Sequence, residues 1–146
     1  MLPLTPNKHL LVVEDSPSQL DLITEALQHK SQNYYLHSVH DGEEALDFLY
    51  GRSDYTHAPR PDMIILDLNL PKINGWEMLA KIKADPRLKP IPVVVFTTSD
   101  ADADILKCYS LEANCYVVKP KDVDEFFRFV QAIEYFWLSI VALPRG

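Results

Sequence analysis

Glycine and cysteine are scarce in this sequence, with four of the first and two of the second in 146 residues. No stretch has the form GxxxxGK[ST] or GxGxxG, so the chain offers no loop built to cradle nucleotide phosphates. Cys108 and Cys115 each sit inside an apolar pattern. They read as small core or near-surface residues, not as a disulfide framework or a metal site. No apolar run approaches the ~20 residues that a bilayer span needs. The opening "MLPLTPNKHL" lacks the basic and apolar regions of a signal peptide. A cytoplasmic protein without membrane contact is expected. Positive charge is also short: 14 Lys and Arg stand against 21 Asp and Glu, for a net charge of −7. The basic residues are scattered and form no face for nucleic acid.

What remains is an ordinary globular composition, 47% hydrophobic and 24% charged, in a chain sized for one domain. Five short apolar runs are of strand length: "HLLVVE" (9–14), "YYLHSV" (34–39), "MIILDL" (63–68), "VVVFTT" (93–98) and "CYVVKP" (115–120). Three are apolar almost throughout, as strands buried on both faces are. Segments of helical period lie between them, placing Leu20, Ile23 and Leu27 on one face, then Ala45, Leu46 and Leu49. Met78, Leu79 and Ile82 follow, then Ile105, Cys108 and Leu111. Ser16 reads as an N-cap with Pro17 in the first helical position and Gln19 completing a capping box. Asp41 and Asp100 read as further helix starts. Strands joined by helical crossovers run parallel, so the expected fold is α/β, a doubly wound five-stranded parallel sheet with helices on both faces. The polar "YGRSDYTHAPRPD" (50–62) reads as a long surface loop.

In such a sheet, ligands gather at the carboxyl ends of the strands. Those ends carry Glu14 and Asp15, Asp67, Thr97 and Thr98, and Lys119 with Pro120. If these strands neighbour one another, three carboxylates, a hydroxyl and an ammonium share one pocket. Three close carboxylates repel, and a hard divalent cation relieves the repulsion. Mg²⁺ suits the set because it uses one or two carboxylates and keeps waters for an incoming phosphate. Asp67 would be a carboxylate nucleophile forming an aspartyl phosphate, with Lys119 and Thr97 on the phosphoryl oxygens.

The motifs "VVEDSP", "DLNLPKINGWEML", "VVFTTS" and "YVVKP" also resemble the receiver domains of two-component response regulators, from about residue 8 to 133. The spacing is the specific part: 30 residues separate Asp67 from Thr97, and 22 separate Thr97 from Lys119. The resemblance implies a flavodoxin-like receiver fold over 1–146, with no output domain following. It implies Asp67 as phosphoacceptor and Asp15 as a direct Mg²⁺ ligand, with Glu14 acting mainly through water. Asn69 would give a backbone carbonyl to the metal. Thr97 and Tyr116 would be the switch pair, and Lys119 the ion-pair partner of Asp67. It also implies a cis Lys119–Pro120 bond, and a turn at Pro71 and Gly75. Two positions depart from the pattern. Glu112 stands where glycine is common, at a turn of positive φ, and Lys121 stands where an apolar residue is more usual.

A narrower resemblance, carried by "APRPD", "LPKINGWEML" and "FWLSIVALP", is to single-domain regulators that partner cyanobacterial phytochrome histidine kinases. The last helix has a core stripe of Val123, Phe126 or Phe127, Val130, Ile133 and Trp137. Phe129, Ala132, Tyr135, Phe136, Ile140 and Val141 add apolar surface outside that stripe. The expectation is a homodimer through the fourth helix, fifth strand and fifth helix, with Tyr109 contributing. Two other functions compete with a phospho-switch. A haloacid-dehalogenase-type phosphohydrolase needs a second acid two residues after its nucleophile, where this chain has Asn69. A phosphorylation-independent scaffold has no need of the intact acid pair, Asp67, Thr97 and Lys119.

Overall fold

The computed structural model describes residues 8–27 and 34–144. Five parallel strands form one sheet: β1 (Lys8–Val13), β2 (Tyr34–Val39), β3 (Met63–Leu66), β4 (Val93–Thr97) and β5 (Cys115–Val118). Their order is β2-β1-β3-β4-β5, the doubly wound arrangement expected. The helices are α1 (Pro17–Leu27), α2 (Gly42–Tyr50), α3 (Gly75–Ala84), α4 (Asp102–Ser110) and α5 (Val123–Tyr135).

Alternation along the strands sorts the core into two layers. Leu11, Val13, Ile64, Leu66, Val93 and Val95 face one side and meet Ala45, Phe48, Met78, Leu79, Ile82 and Cys108. Leu10, Val12, Met63, Ile65, Val94 and Phe96 face the other and meet Ile23, Leu27, Phe126, Val130 and Ile133. Thus α2, α3 and α4 cover one face of the sheet while α1 and α5 cover the other. A strand buried on both sides has no polar positions to spare, which is why these runs read as continuously apolar.

The helix starts follow the sequence closely in two places. Ser16 Oγ accepts from the N–H of Gln19 at 3.3 Å, and Asp41 Oδ1 accepts from that of Glu44 at 2.7 Å. Two expectations fail. Gln19 does not complete a capping box, because its side chain is drawn to Lys119. Asp100 does not cap α4. Ala101 is the cap residue and makes no side-chain bond, since the Asp falls one residue too early to reach the first free N–H groups.

The surface loop holds a 3₁₀ turn, Ser53–Tyr55, and is stapled to β1 by Asp62. Its carboxylate accepts from His9 N–H at 2.7 Å, and its own N–H donates to the His9 carbonyl at 2.7 Å. Glu112 has φ of 71°, so the turn keeps the left-handed geometry despite a side chain that disfavours it.

The last helix differs from its expected stripe at both ends. Val123, in the opening turn, is 51% exposed, and docking on the sheet begins at Phe126. Beyond Tyr135 the backbone widens into one π-helical turn, Phe136–Ile140. That turn buries Leu138, which contributes to the core more fully than the half-buried Trp137. The Lys8 ammonium donates to the Leu138 carbonyl at 2.7 Å, fastening this turn to the start of β1.

Gly75 opens α3 directly beside the end of β3. A Cβ there would lie 2.5 Å from the Asp67 carbonyl oxygen and 2.5 Å from Leu68 Cα. Alanine ordinarily improves a helix by about 1 kcal/mol over glycine. Here Gly75→Ala is expected to destabilise the fold instead, by about 1–3 kcal/mol as an overpacked site does, measured as a lower urea midpoint.

Candidate functional site

Glu14, Asp67 and Lys119 each stand directly after a strand, following β1, β3 and β5. The hydrogen-bond ladder runs one rung past the apolar strands. The N–H of Glu14 donates to Val39 O (3.1 Å), that of Asp67 to Val13 O (3.1 Å) and that of Lys119 to Thr97 O (2.7 Å). Polar side chains are therefore held with the rigidity of the sheet at its carboxyl edge.

Their geometry is that of a buried cation between two anions. Lys119 Nζ donates to Glu14 Oε1 at 2.5 Å and to Asp67 Oδ2 at 3.0 Å. Its third donor goes to Gln19 Oε1. The Lys119 side chain is only 1% exposed, and its Nζ lies 5.7 Å from the centroid of the Phe96 ring. Each carboxylate commits its other oxygen to a loop N–H. Glu14 Oε2 accepts from Ser16 at 3.1 Å and Asp67 Oδ1 from Asn69 at 3.2 Å. Burial is the largest influence on Glu14 and raises its pKa, with nearby Asp67 adding to the rise. The hydrogen bond from Lys119 opposes both without cancelling them.

Thr97 ends β4 with its hydroxyl fully buried and without a hydrogen-bond partner. A buried hydroxyl left unpaired is costly, so its retention marks a position kept for something other than packing. Tyr116 lies on β5, its hydroxyl donating to the Ser99 carbonyl at 2.9 Å and its backbone N–H to Tyr109 Oη at 3.1 Å. Tyr109 therefore caps the outer edge of β5 as well as presenting an apolar ring. Burial raises the Tyr116 pKa.

The expected pocket is only partly gathered. Glu14, Asp67 and Lys119 are in contact, but Asp15 and Asn69 are exposed. Among the described residues no group of three His, Cys, Asp or Glu side chains converges on one point. The residues nevertheless suit a hard cation, because the Lys119 ammonium already stands in for one between two buried carboxylates. A metal that keeps several waters needs no more protein oxygens than this edge offers. The peptide bonds of the described residues are all trans. Lys119–Pro120 thus departs from the cis geometry that the resemblance implies; the two isomers of such a bond differ by only about 0.5–1 kcal/mol, so local packing decides. Gln19 was not foreseen as a site residue. The signal available was a long amide in the first helical turn after an acidic pair, and it reads equally as a cap.

At the other end of the molecule, Phe129, Ala132, Ile133, Phe136 and Trp137 of the last helix form an apolar groove of about 540 Å³ against Cys115 and Val117 of β5. Phe129, Tyr135, Phe136 and Ile140 are exposed, as is Tyr109.

Residues 10–131 match the response regulator receiver domain family. Response regulator Rcp1 of Synechocystis sp. is 45% identical over 141 residues, covering 97% of this chain and 96% of that protein. The crystal structure of Mn²⁺-bound Rcp1 superposes with a TM-score of 0.91 over 95% of this chain and 100% of that one, at 45% identity. The phosphorylated cyanobacterial phytochrome response regulator RcpA superposes equally, with a TM-score of 0.91 over 95% of this chain and 99% of its own, at 45% identity.

Removing the ammonium tests its place in the site. Lys119→Met leaves two buried carboxylates facing each other and is expected to cost about 3–5 kcal/mol near neutral pH. Glu14, whose burial already favours its protonated form, then loses the ammonium that opposes this and holds its proton more tightly in the folded state than in the unfolded one. Stability is therefore greatest in mild acid and falls as pH rises from the ordinary carboxylate range toward neutrality. Chemical denaturation between pH 5 and 8, roughly that range, checks the slope.

Proposed function

The chain belongs to the family of response regulator receiver domains, and on that premise we propose that Asp67 accepts a phosphoryl group from the phosphohistidine of a histidine kinase. The observation that carries this reading is the buried contact of Asp67 with Lys119 at 3.0 Å. A carboxylate oxygen attacks phosphorus, an O–P bond forms, and the P–N bond to the kinase imidazole breaks. Lys119 follows the charge from the carboxylate onto the phosphoryl oxygens, and the unpaired Thr97 hydroxyl gains an acceptor there. Glu14, Asp15, Asp67 and the Asn69 backbone carbonyl are the groups that would hold Mg²⁺. When bound, the ion offsets the repulsion between the carboxylates and an incoming phosphate. The chemistry is confined to the protein's own phosphorylation and dephosphorylation. The haloacid-dehalogenase alternative is not favoured, since position 69 carries an amide and not an acid.

Tyr116 reports the event. Its hydroxyl is held by a loop carbonyl two residues beyond Thr97, so movement of Thr97 changes the surroundings of that ring. Tyr116 lies between Cys115 and Val117, which line the apolar groove. We place a homodimer on this face of α4, β5 and α5, through Phe129, Tyr135, Phe136, Ile140 and Tyr109, with phosphorylation altering its population. The likeness to RcpA supports a phytochrome-type kinase as the donor. No helix among the described residues is long and apolar enough to cross a membrane. That fact and the net charge of −7 support a cytoplasmic protein acting through protein contacts and not through nucleic acid.

Incubation with acetyl phosphate and Mg²⁺ is expected to add one phosphoryl group, seen by intact mass, that a chelator blocks. Asp67→Asn should take none, and stoichiometric labelling of that variant would refute the assignment. For the dimer, Phe136→Asp is expected to weaken self-association at least about tenfold, as loss of a central aromatic anchor does. Sedimentation velocity of the two proteins checks this; an unchanged dimer places the interface elsewhere.

A further inference from the structure

An ammonium has three N–H donors, and the fold gives Lys119 three acceptors: two carboxylates and the neutral Oε1 of Gln19. Gln19 is not a loose surface side chain that happens to reach inward. Its N–H donates to Ser16 Oγ (3.3 Å), the Ser16 N–H donates to Glu14 Oε2 (3.1 Å), and Glu14 Oε1 receives the same ammonium as Gln19. These four residues close a ring of hydrogen bonds that fastens the first turn of α1 to the residue following β5.

Under the proposed function, on which this step rests, both carboxylates that hold Lys119 are also among the groups that would hold a divalent ion, Asp67 directly and Glu14 mainly through water. An ammonium and Mg²⁺ compete for the same oxygens. In so dry a site, Lys119 cannot release a carboxylate to water cheaply. Gln19 is the one acceptor of the three for which the metal does not compete, because a neutral amide is a weaker ligand for Mg²⁺ than a carboxylate. Space for the adjustment exists. A cavity of about 280 Å³, lined by Gln19, Leu22, Thr98, Lys119, Val123 and Phe126 among others, adjoins the pair on its outer side. The ammonium can therefore swing toward Gln19 without displacing packed core atoms. We infer that Gln19 is a positioning residue that retains Lys119 at the site while Glu14 and Asp67 turn toward the metal, and that it thereby strengthens Mg²⁺ binding.

Two substitutions in the full chain separate this role from simple packing. Gln19→Leu keeps similar bulk but offers no acceptor, whereas Gln19→Glu restores one. Mg²⁺ is titrated by calorimetry without any phosphodonor, and acetyl phosphate labelling is then followed against Mg²⁺ concentration. The leucine variant is expected to bind Mg²⁺ about tenfold more weakly, the size of one hydrogen bond to a charged group. Its half-saturating Mg²⁺ for labelling should rise by the same factor. The glutamate variant should bind at the wild-type strength or tighter. Equal weakening in both variants, unchanged binding in the leucine variant, or no Mg²⁺ binding by the wild type overturns the inference. If the wild type binds Mg²⁺ but takes no phosphoryl group, the proposed function fails, and the binding comparison still decides the role of Gln19.

Discussion

One buried ammonium organises the functional end of this protein. Lys119, the residue following β5, joins the start of α1, the end of β3 and the end of β1, through Gln19, Asp67 and Glu14. Isolated burial of any of these charges would cost several kcal/mol, and together they are tolerable only because every donor of the ammonium is used. The arrangement is not chosen for stability, since apolar residues of similar volume would serve a core as well or better. Its value is a carboxylate held in place by a cation that can follow charge onto a neighbouring group.

That constraint explains the form of the sheet around it. Strands buried on both faces cannot place ionised groups within their length, so the charges appear one residue beyond the apolar runs, where the ladder still holds the backbone. The close approach of Gly75 to Asp67 and Leu68 belongs to the same economy of space: α3 begins against the Asp67–Leu68 segment, where a methyl group has no room. At this edge the buried hydroxyl of Thr97 has no hydrogen-bond partner.

Much of this was legible in the sequence because it rests on local rules. Short runs of strand length, three of them apolar almost throughout, gave the five strands, and helical periodicity gave the faces of the helices that meet them. The strand-end positions of Glu14, Asp67 and Lys119 marked side chains that the fold brings into contact. What was not legible depends on contacts between distant residues. Gln19 satisfies the pattern of a capping box, and only the approach of Lys119, 100 residues away, shows why its side chain turns elsewhere. Asp15 looks equivalent to Glu14 in sequence, yet one is exposed and the other buried, because only Glu14 still bonds into the ladder. The π-helical turn that buries Leu138 has no local signature; it is fixed by Lys8 from the opposite end of the chain.

The apolar groove and Asp67 lie at different places on the fold, and the residues between them are few. Thr97 precedes Ser99 by two positions; the Ser99 carbonyl holds the Tyr116 hydroxyl, and the Ser99 hydroxyl donates to Asp104 at 2.6 Å in α4. The backbone of Tyr116 is tied in turn to Tyr109 of α4. Spatial continuity alone does not make a signal path; an element with two arrangements does. Tyr116 has the required properties, being half-buried, anchored through one hydroxyl bond to a loop, and flanked on β5 by two residues of the groove. A change at Thr97 that alters the loop carbonyl releases that bond at the modest net cost of one neutral hydrogen bond, about 1 kcal/mol. In the proposed switch, so small a cost is an advantage. The buried Lys119 cluster supplies the large interactions at the acceptor, and a weakly held ring is what lets a sub-ångström change there shift a population at the dimer face.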